Sequence, residues 1–186
     1  MTDSIDPNLE DSERWNAFRA GDDIAFGQIA RQYYRSLFSY GIKFSKDSEF
    51  VKDCIQDLYL ELWAKRATLG DTGFVKFYLL KSLRRKIHRE SLKQQWLTDG
   101  DDLDFEAENF GEISIEQKII ETETSEEQLK ALNQQITMLT KRQQEVIYLR
   151  FFESLDNESI AQVMSISRQA VANLLYRTIQ ELKERL

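Results

Sequence analysis

The segment from Asn157 to Tyr176 constrains this chain more tightly than any other part of it. Two short helices crossing at a steep angle need a small residue midway along the first, where the second passes closely, and Ala161 stands there. They need apolar side chains to plug the angle between them, the positions held by Ile160, Met164, Ile166, Val171 and Leu174. Ser167 is the hydroxyl expected to cap the second helix. The turn position that favours φ > 0 is Ser165 rather than glycine, a choice that costs on the order of 1 kcal/mol. The pattern is that of a helix-turn-helix.

On the second helix Val171, Leu174, Leu175, Ile179 and Leu182 form the inward stripe, and Arg168, Gln169, Ala172, Asn173, Tyr176, Arg177 and Gln180 face the other way. Arg, Gln and Asn are the side chains that bond in pairs to guanine and adenine edges, and the start of such a helix is the part that enters a major groove. Ser167, Arg168, Gln169, Asn173 and Arg177 are therefore the candidate base-reading residues. The blander reading is a helical hairpin with a solvated polar face; the plug pattern, more than the polar residues, favours DNA.

The rest of the chain is also helical in pattern. Phe26, Ile29, Tyr33, Leu37 and Tyr40 recur at steps of three and four, as do Val51, Cys54, Ile55, Leu58 and Leu62, and a third stripe runs through Leu79, Leu80, Leu83 and Ile87. Breaks fall at Gly21-Asp22, Ser45 to Ser48 and Gly70 to Gly73. One proline and seven glycines in 186 residues argue against a turn-rich β fold. The fold class is all-α: an N-terminal domain of three or four helices over residues 12–94, an acidic linker over 95–125, and a four-helix C-terminal domain over 126–186. In the latter, Leu129, Leu132, Ile136 and Leu139 carry one helix. Thr140 with Gln143 forms a capping box for a second through Val146, Ile147 and Leu149, and two more short helices follow. A stretch from Ile115 to Glu123 is expected to be transiently helical.

One cysteine, Cys54, and one histidine, His88, leave no material for a disulfide framework, a Cys/His zinc site or histidine catalysis. No apolar run approaches the roughly 20 residues of a membrane span, and the acidic N-terminus is not a signal peptide. A cytoplasmic protein without metal, cofactor or membrane insertion is expected.

The net charge of −7 conceals a segregation. Asp99 to Glu127 holds twelve acidic residues and one lysine, so the remainder is net positive, and Lys76 to Lys93 holds seven Lys and Arg against Glu90 alone. On a helical wheel Lys81, Arg84, Arg85, His88 and Arg89 share one face, with Phe74, Phe77 and Tyr78 at its start. Cations neutralise phosphate and aromatic rings stack on unpaired bases, a mixture suited to melting DNA. One of the three aromatics, Phe74 or Phe77, is expected to be core. The preceding helix is acidic: Asp53, Asp57 and Glu61 lie at i, i+4 and i+8 with Gln56 beside them. Like charges so spaced repel unless something basic docks. A docking face for a partner is therefore favoured over catalysis, and a solvated face is the plainer alternative.

These pieces together resemble the sigma factors of bacterial RNA polymerase, in the small extracytoplasmic-function group. Asp53 to Trp63 resembles the family's polymerase-docking motif, Phe74 to Arg89 the helix that recognises and opens the −10 element, and Leu139 to Phe151 the stretch preceding the −35-reading helix-turn-helix. The departures are Arg85, where the family commonly has Asn, Met164-Ser165-Ile166-Ser167 in place of Leu-Gly-Ile-Ser, and a long acidic linker. The resemblance implies that Asp53, Gln56, Asp57, Glu61 and Trp63 dock the β′ clamp helices. It implies that Phe77, Tyr78, Lys81, Arg84, Arg85, His88 and Arg89 engage −10, and that the C-terminal domain reads −35 and meets the β flap. Core RNA polymerase, promoter DNA and an anti-sigma factor are the implied partners, and the protein is not itself an enzyme. Two alternatives stand beside it: a dimeric two-domain helix-turn-helix regulator reading palindromic half-sites, and a helical adaptor with no DNA role. A tethered acidic linker is also expected to compete with DNA for the basic helix.

Overall fold

The computed structural model describes residues 7–95 and 126–185, so the linker expectations lie outside the described residues. The chain divides into two compact units, the first carrying α1–α4 and the second α5–α8.

In the first unit α1 spans Pro7–Arg19, α2 Asp23–Gly41, α3 Ser48–Lys65 and α4 Val75–Gln95, with a short 3-10 turn at Arg66–Thr68. Helix α1 starts before the first strong apolar residue, with proline in its opening turn, where a missing N–H costs nothing. Asp22 and Asp47 cap α2 and α3, their carboxylates accepting from the amides of Ala25 and of Glu49 and Phe50. Gly21 adopts φ 103° in the turn from α1 to α2.

The three apolar stripes converge as the spacing requires. Ile29, Tyr33 and Leu37 meet Val51, Ile55, Leu58 and Leu62 and the Leu79, Leu80, Leu83, Ile87 row, all buried. Trp15 and Phe18 of α1 complete the core. Gly41 permits a close helix approach: a Cβ there would lie 2.5 Å from Val51 Cγ1, so a larger residue would force α2 and α3 apart. Helix α1 also fixes the segment leading into α4. Trp15 Nε1 donates to the Gly70 carbonyl at 3.0 Å and Arg19 Nε to that of Leu69 at 2.7 Å.

In the second unit α5 spans Glu126–Thr137, α6 Lys141–Ile147, a π turn Tyr148–Phe152, α7 Asn157–Met164 and α8 Arg168–Arg185. The Thr140–Gln143 capping box forms as the sequence predicts, but α6 gives way to the π turn at Tyr148. The final helix is not short; it runs for 18 residues. Buried Gln144 ties α5 to α6 by donating its amide to the Leu139 and Thr137 carbonyls, and Gln143 reaches Glu181 of α8 at 2.7 Å.

Candidate functional site

The helix-turn-helix is built on the residues that the sequence assigns to it. Ala161, Ile160, Met164 and Val171 are buried where α7 and α8 cross, and Ile166 and Leu174 are half-buried at the edge of the plug. Ser165 takes the left-handed conformation, φ 56° and ψ 43°, and its amide donates to the Ala161 carbonyl. Ser167 Oγ accepts from the Ala170 amide at 3.1 Å and so caps α8.

With Val171, Leu175 and Thr178 inside, Gln169, Asn173, Tyr176 and Arg177 emerge together on the exposed side of α8. Gln169 Nε2 donates to Asn173 Oδ1 at 3.0 Å, one turn along. Arg168 is exposed but stands about 140° around the helix from Asn173. Its charge also reaches Asp156, the cap of α7, whose carboxyl is held below its ordinary range. The Ser159 amide is the main cause of that shift, and Arg150 and Arg168 reinforce it.

In the first unit the acidic stripe and the basic helix, which look like separate surfaces in sequence, meet. Lys86 of α4 is buried, with Nζ 2.6 Å from Glu61 Oε1 and 3.5 Å from Asp57 Oδ2. Arg89 reaches the same Glu61 oxygen at 3.1 Å and Glu90 at 3.2 Å, and Glu90 holds Lys93 at 2.9 Å. Charges of alternating sign thus run from α3 onto α4. The Lys86 hydrogen bond is the first cause holding the Glu61 carboxyl below its ordinary range, ahead of the Arg89 guanidinium. Arg85 and His88 remain exposed on α4, and Asp53 and Gln56 on α3.

The aromatic expectation needs correcting. Phe74 is 62% exposed and Phe77 is half-buried beneath Lys81, whose Nζ lies 5.4 Å from the ring centroid. Tyr78, half-buried like Phe77, is the one that packs against α1, edge-on to Trp15 with ring centroids 5.1 Å apart. It pairs with α1, an element whose position periodicity within α4 does not reveal. Trp63 is half-buried in an aromatic cluster with Phe18 and Phe26, and the Arg66 guanidinium covers it at 4.5 Å.

Between α2 and α3 lies an apolar groove of about 530 Å³, lined by Phe26, Tyr34, Tyr59, Leu60 and Trp63 with Gln56 and Lys52 at its rim. Leu60 is 60% exposed. Tyr34, Tyr59 and Leu60 lie outside the carboxylate stripe that marks this face in the sequence. The available signal was that Leu60 stands off the Val51–Ile55–Leu58–Leu62 stripe. Among the described residues no cluster of His, Cys, Asp and Glu is placed to hold a metal, and no helix is long and apolar enough to cross a membrane.

Comparison with known proteins agrees with this arrangement. Residues 29–97 match sigma-70 region 2 and residues 129–182 match sigma-70 region 4. The RNA polymerase sigma factor YlaC of Bacillus subtilis is 24% identical over 169 residues, which cover 85% of this chain and 90% of that protein. Among solved structures, CnrH in complex with the cytosolic domain of CnrY superposes with a TM-score of 0.59 at 17% identity, covering 94% of this chain and 95% of that one. The sigma factor RpoE of Bartonella quintana, in complex with the anti-sigma factor NepR, gives 0.59 at 19% identity, covering 86% and 94%. These likenesses share the two-domain helical fold. With a region 2 unit whose third and fourth helices are joined by ion pairs, and a region 4 unit ending in an exposed recognition helix, this chain belongs to the sigma-70 family as a sigma factor of the extracytoplasmic-function group, which directs promoter-specific transcription initiation.

Proposed function

We propose that the labour of initiation is divided among three helices. Helix α8 reads the −35 element through Gln169, Asn173 and Arg177, with Ser167 holding its first turn and Arg168 meeting the phosphate backbone beside it. Helix α4 takes the −10 strand: Lys81, Arg84, Arg85, His88 and Arg89 supply charge, and Phe77 and Tyr78 supply aromatic surface near its start. Helix α3 docks core polymerase through Asp53, Gln56, Asp57, Glu61 and Trp63, with the Leu60 groove adding apolar area to the same face. Residues 12–94 and 126–186 act as the two working domains and 95–125 as the connection between them.

The observation that carries this reading is the outward cluster of Gln169, Asn173 and Arg177 on a recognition helix whose crossing is built on Ala161 and Ser165. The protein acts in the cytoplasm as a subunit of the polymerase, catalyses nothing itself and requires no cofactor. An anti-sigma factor is the further partner expected to bind it, as the complex of RpoE with the anti-sigma factor NepR suggests.

Run-off transcription tests the proposal. Core polymerase supplemented with this chain should initiate from a subset of promoter fragments, and Arg177→Ala should abolish that choice while leaving co-elution with core intact. Asp53→Arg combined with Leu60→Asp should abolish co-elution. A chain that dimerises, binds palindromic duplexes alone and never co-elutes with core would be a regulator of another kind.

A further inference from the structure

We infer that Gln169 and Asn173 form a single reading unit for one adenine in the upstream element, with Gln169 as the reader and Asn173 as the residue that positions it; this rests on α8 being the −35 helix. An adenine presents a donor and an acceptor side by side in the major groove, N6–H and N7, and the edge of a primary amide is their complement. A primary amide has two N–H bonds, one beside its own carbonyl and one directed away. Gln169 Nε2 donates to Asn173 Oδ1 at 3.0 Å. When the outer N–H makes that bond, the Gln169 carbonyl oxygen and the adjacent N–H are left as a planar edge for the base. With donation in this direction, the Gln169 oxygen is the end turned away from Asn173, an orientation that a lone glutamine has no reason to favour.

The surroundings suit the task. Both side chains are exposed on the face opposite Val171 and Leu175, and the neighbouring Ala172 adds only a methyl group, so the helix can approach the groove floor. No carboxylate occurs in α8 before Glu181, so the helix itself sets no negative charge beside the pair. Guanine would set its O6 against the Gln169 oxygen and be rejected. A held amide of this kind should favour adenine over the other bases about tenfold or more.

The test uses the full chain assembled with core polymerase and a duplex library randomised across the upstream element, with sequencing of the bound fraction. Wild type should enrich one A·T column, with adenine at least about tenfold over guanine. Gln169→Ala should flatten that column and no other. Asn173→Ala should weaken the preference at the same column, whereas Asn173→Asp should keep it, because a carboxylate still accepts the Gln169 N–H, although total recovery falls as negative charge nears phosphate. Replacing that adenine with 7-deazaadenine should lower wild-type affinity and leave Gln169→Ala unaffected. The inference is overturned if the column survives Gln169→Ala, or if Asn173→Ala alters a different column, which would make the two side chains independent readers. If wild type enriches no sequence while still co-eluting with core, the −35 role of α8 falls, and the inference with it.

Discussion

Lys86 Nζ lies 2.6 Å from Glu61 Oε1, with the lysine buried and the carboxylate about half exposed, so one ammonium of the basic helix α4 is neutralised by the acidic stripe of α3. The ammonium also lies near Asp57, and the second cation on Glu61 is Arg89. This arrangement relieves the repulsion that carboxylates at i, i+4 spacing would otherwise suffer. Because the carboxylates remain partly solvated, their pairing with Lys86 should contribute modestly. A double-mutant cycle of Glu61→Gln and Lys86→Met in urea unfolding should give a coupling of about 1 kcal/mol.

The same pair sets a pH dependence. The Glu61 carboxyl is held below its ordinary range in the folded protein, chiefly by Lys86, so the unfolded chain binds its proton first as pH falls. Its contribution to stability is complete above the ordinary carboxylate value and disappears as pH falls through the lowered one. Urea midpoints measured from about pH 6 down to about pH 3 should therefore fall more steeply for wild type than for Glu61→Gln.

Arg85 and Arg89 should differ in DNA binding although both lie on the basic face. Arg85 is exposed, whereas Arg89 already bonds to Glu61 and Glu90. Replacing Arg85 with Gln should lower the salt slope of promoter binding by nearly one phosphate contact, and replacing Arg89 by less. Fluorescence anisotropy of a −10 single strand across a potassium chloride series, with the protein bound to core, would reveal equal slopes if the ion pairs on Arg89 have no effect.

The turn of the helix-turn-helix offers a gain and a loss. Ser165 holds φ 56°, a conformation that disfavours residues with a Cβ, so Ser165→Gly should stabilise the C-terminal unit by about 1 kcal/mol. Ala161 is buried beneath the crossing, so Ala161→Leu should destabilise it by about 1–3 kcal/mol or more and abolish −35 binding. Thermal unfolding followed by circular dichroism checks both; a loss of stability in Ser165→Gly would contradict the first.

Asp156 caps α7 through the Ser159 amide at 2.7 Å, and that bond lowers its pKa. Asp156→Ala should cost about 1 kcal/mol, and Asp156→Asn much less, since an amide oxygen still accepts. The carboxylate's contribution is present above the ordinary aspartate value and is lost as pH falls through the lowered one, so the gap between wild type and Asp156→Asn should close in acid.

The helices, their caps at Thr140 and Ser167 and the strained turn at Ser165 were legible in the residue order, because each depends on neighbours within a few positions: apolar spacing, a hydroxyl three residues before an amide, a small residue at a crossing. The helix-turn-helix was legible for the same reason, its two helices being joined by so short a turn. The exposed grouping of Gln169, Asn173 and Arg177 followed from one helical period. What periodicity fixes is the face a helix buries; it does not fix which neighbour lies beside the edge of that face. Only tertiary packing therefore decided that Lys86 would be buried between Asp57 and Glu61, that Tyr78 rather than Phe74 would meet Trp15, and that Leu60 would line an open groove. In each case the partners come from different helices, brought together by the close approach at Gly41 and the anchoring of α1 onto the segment at Leu69 and Gly70.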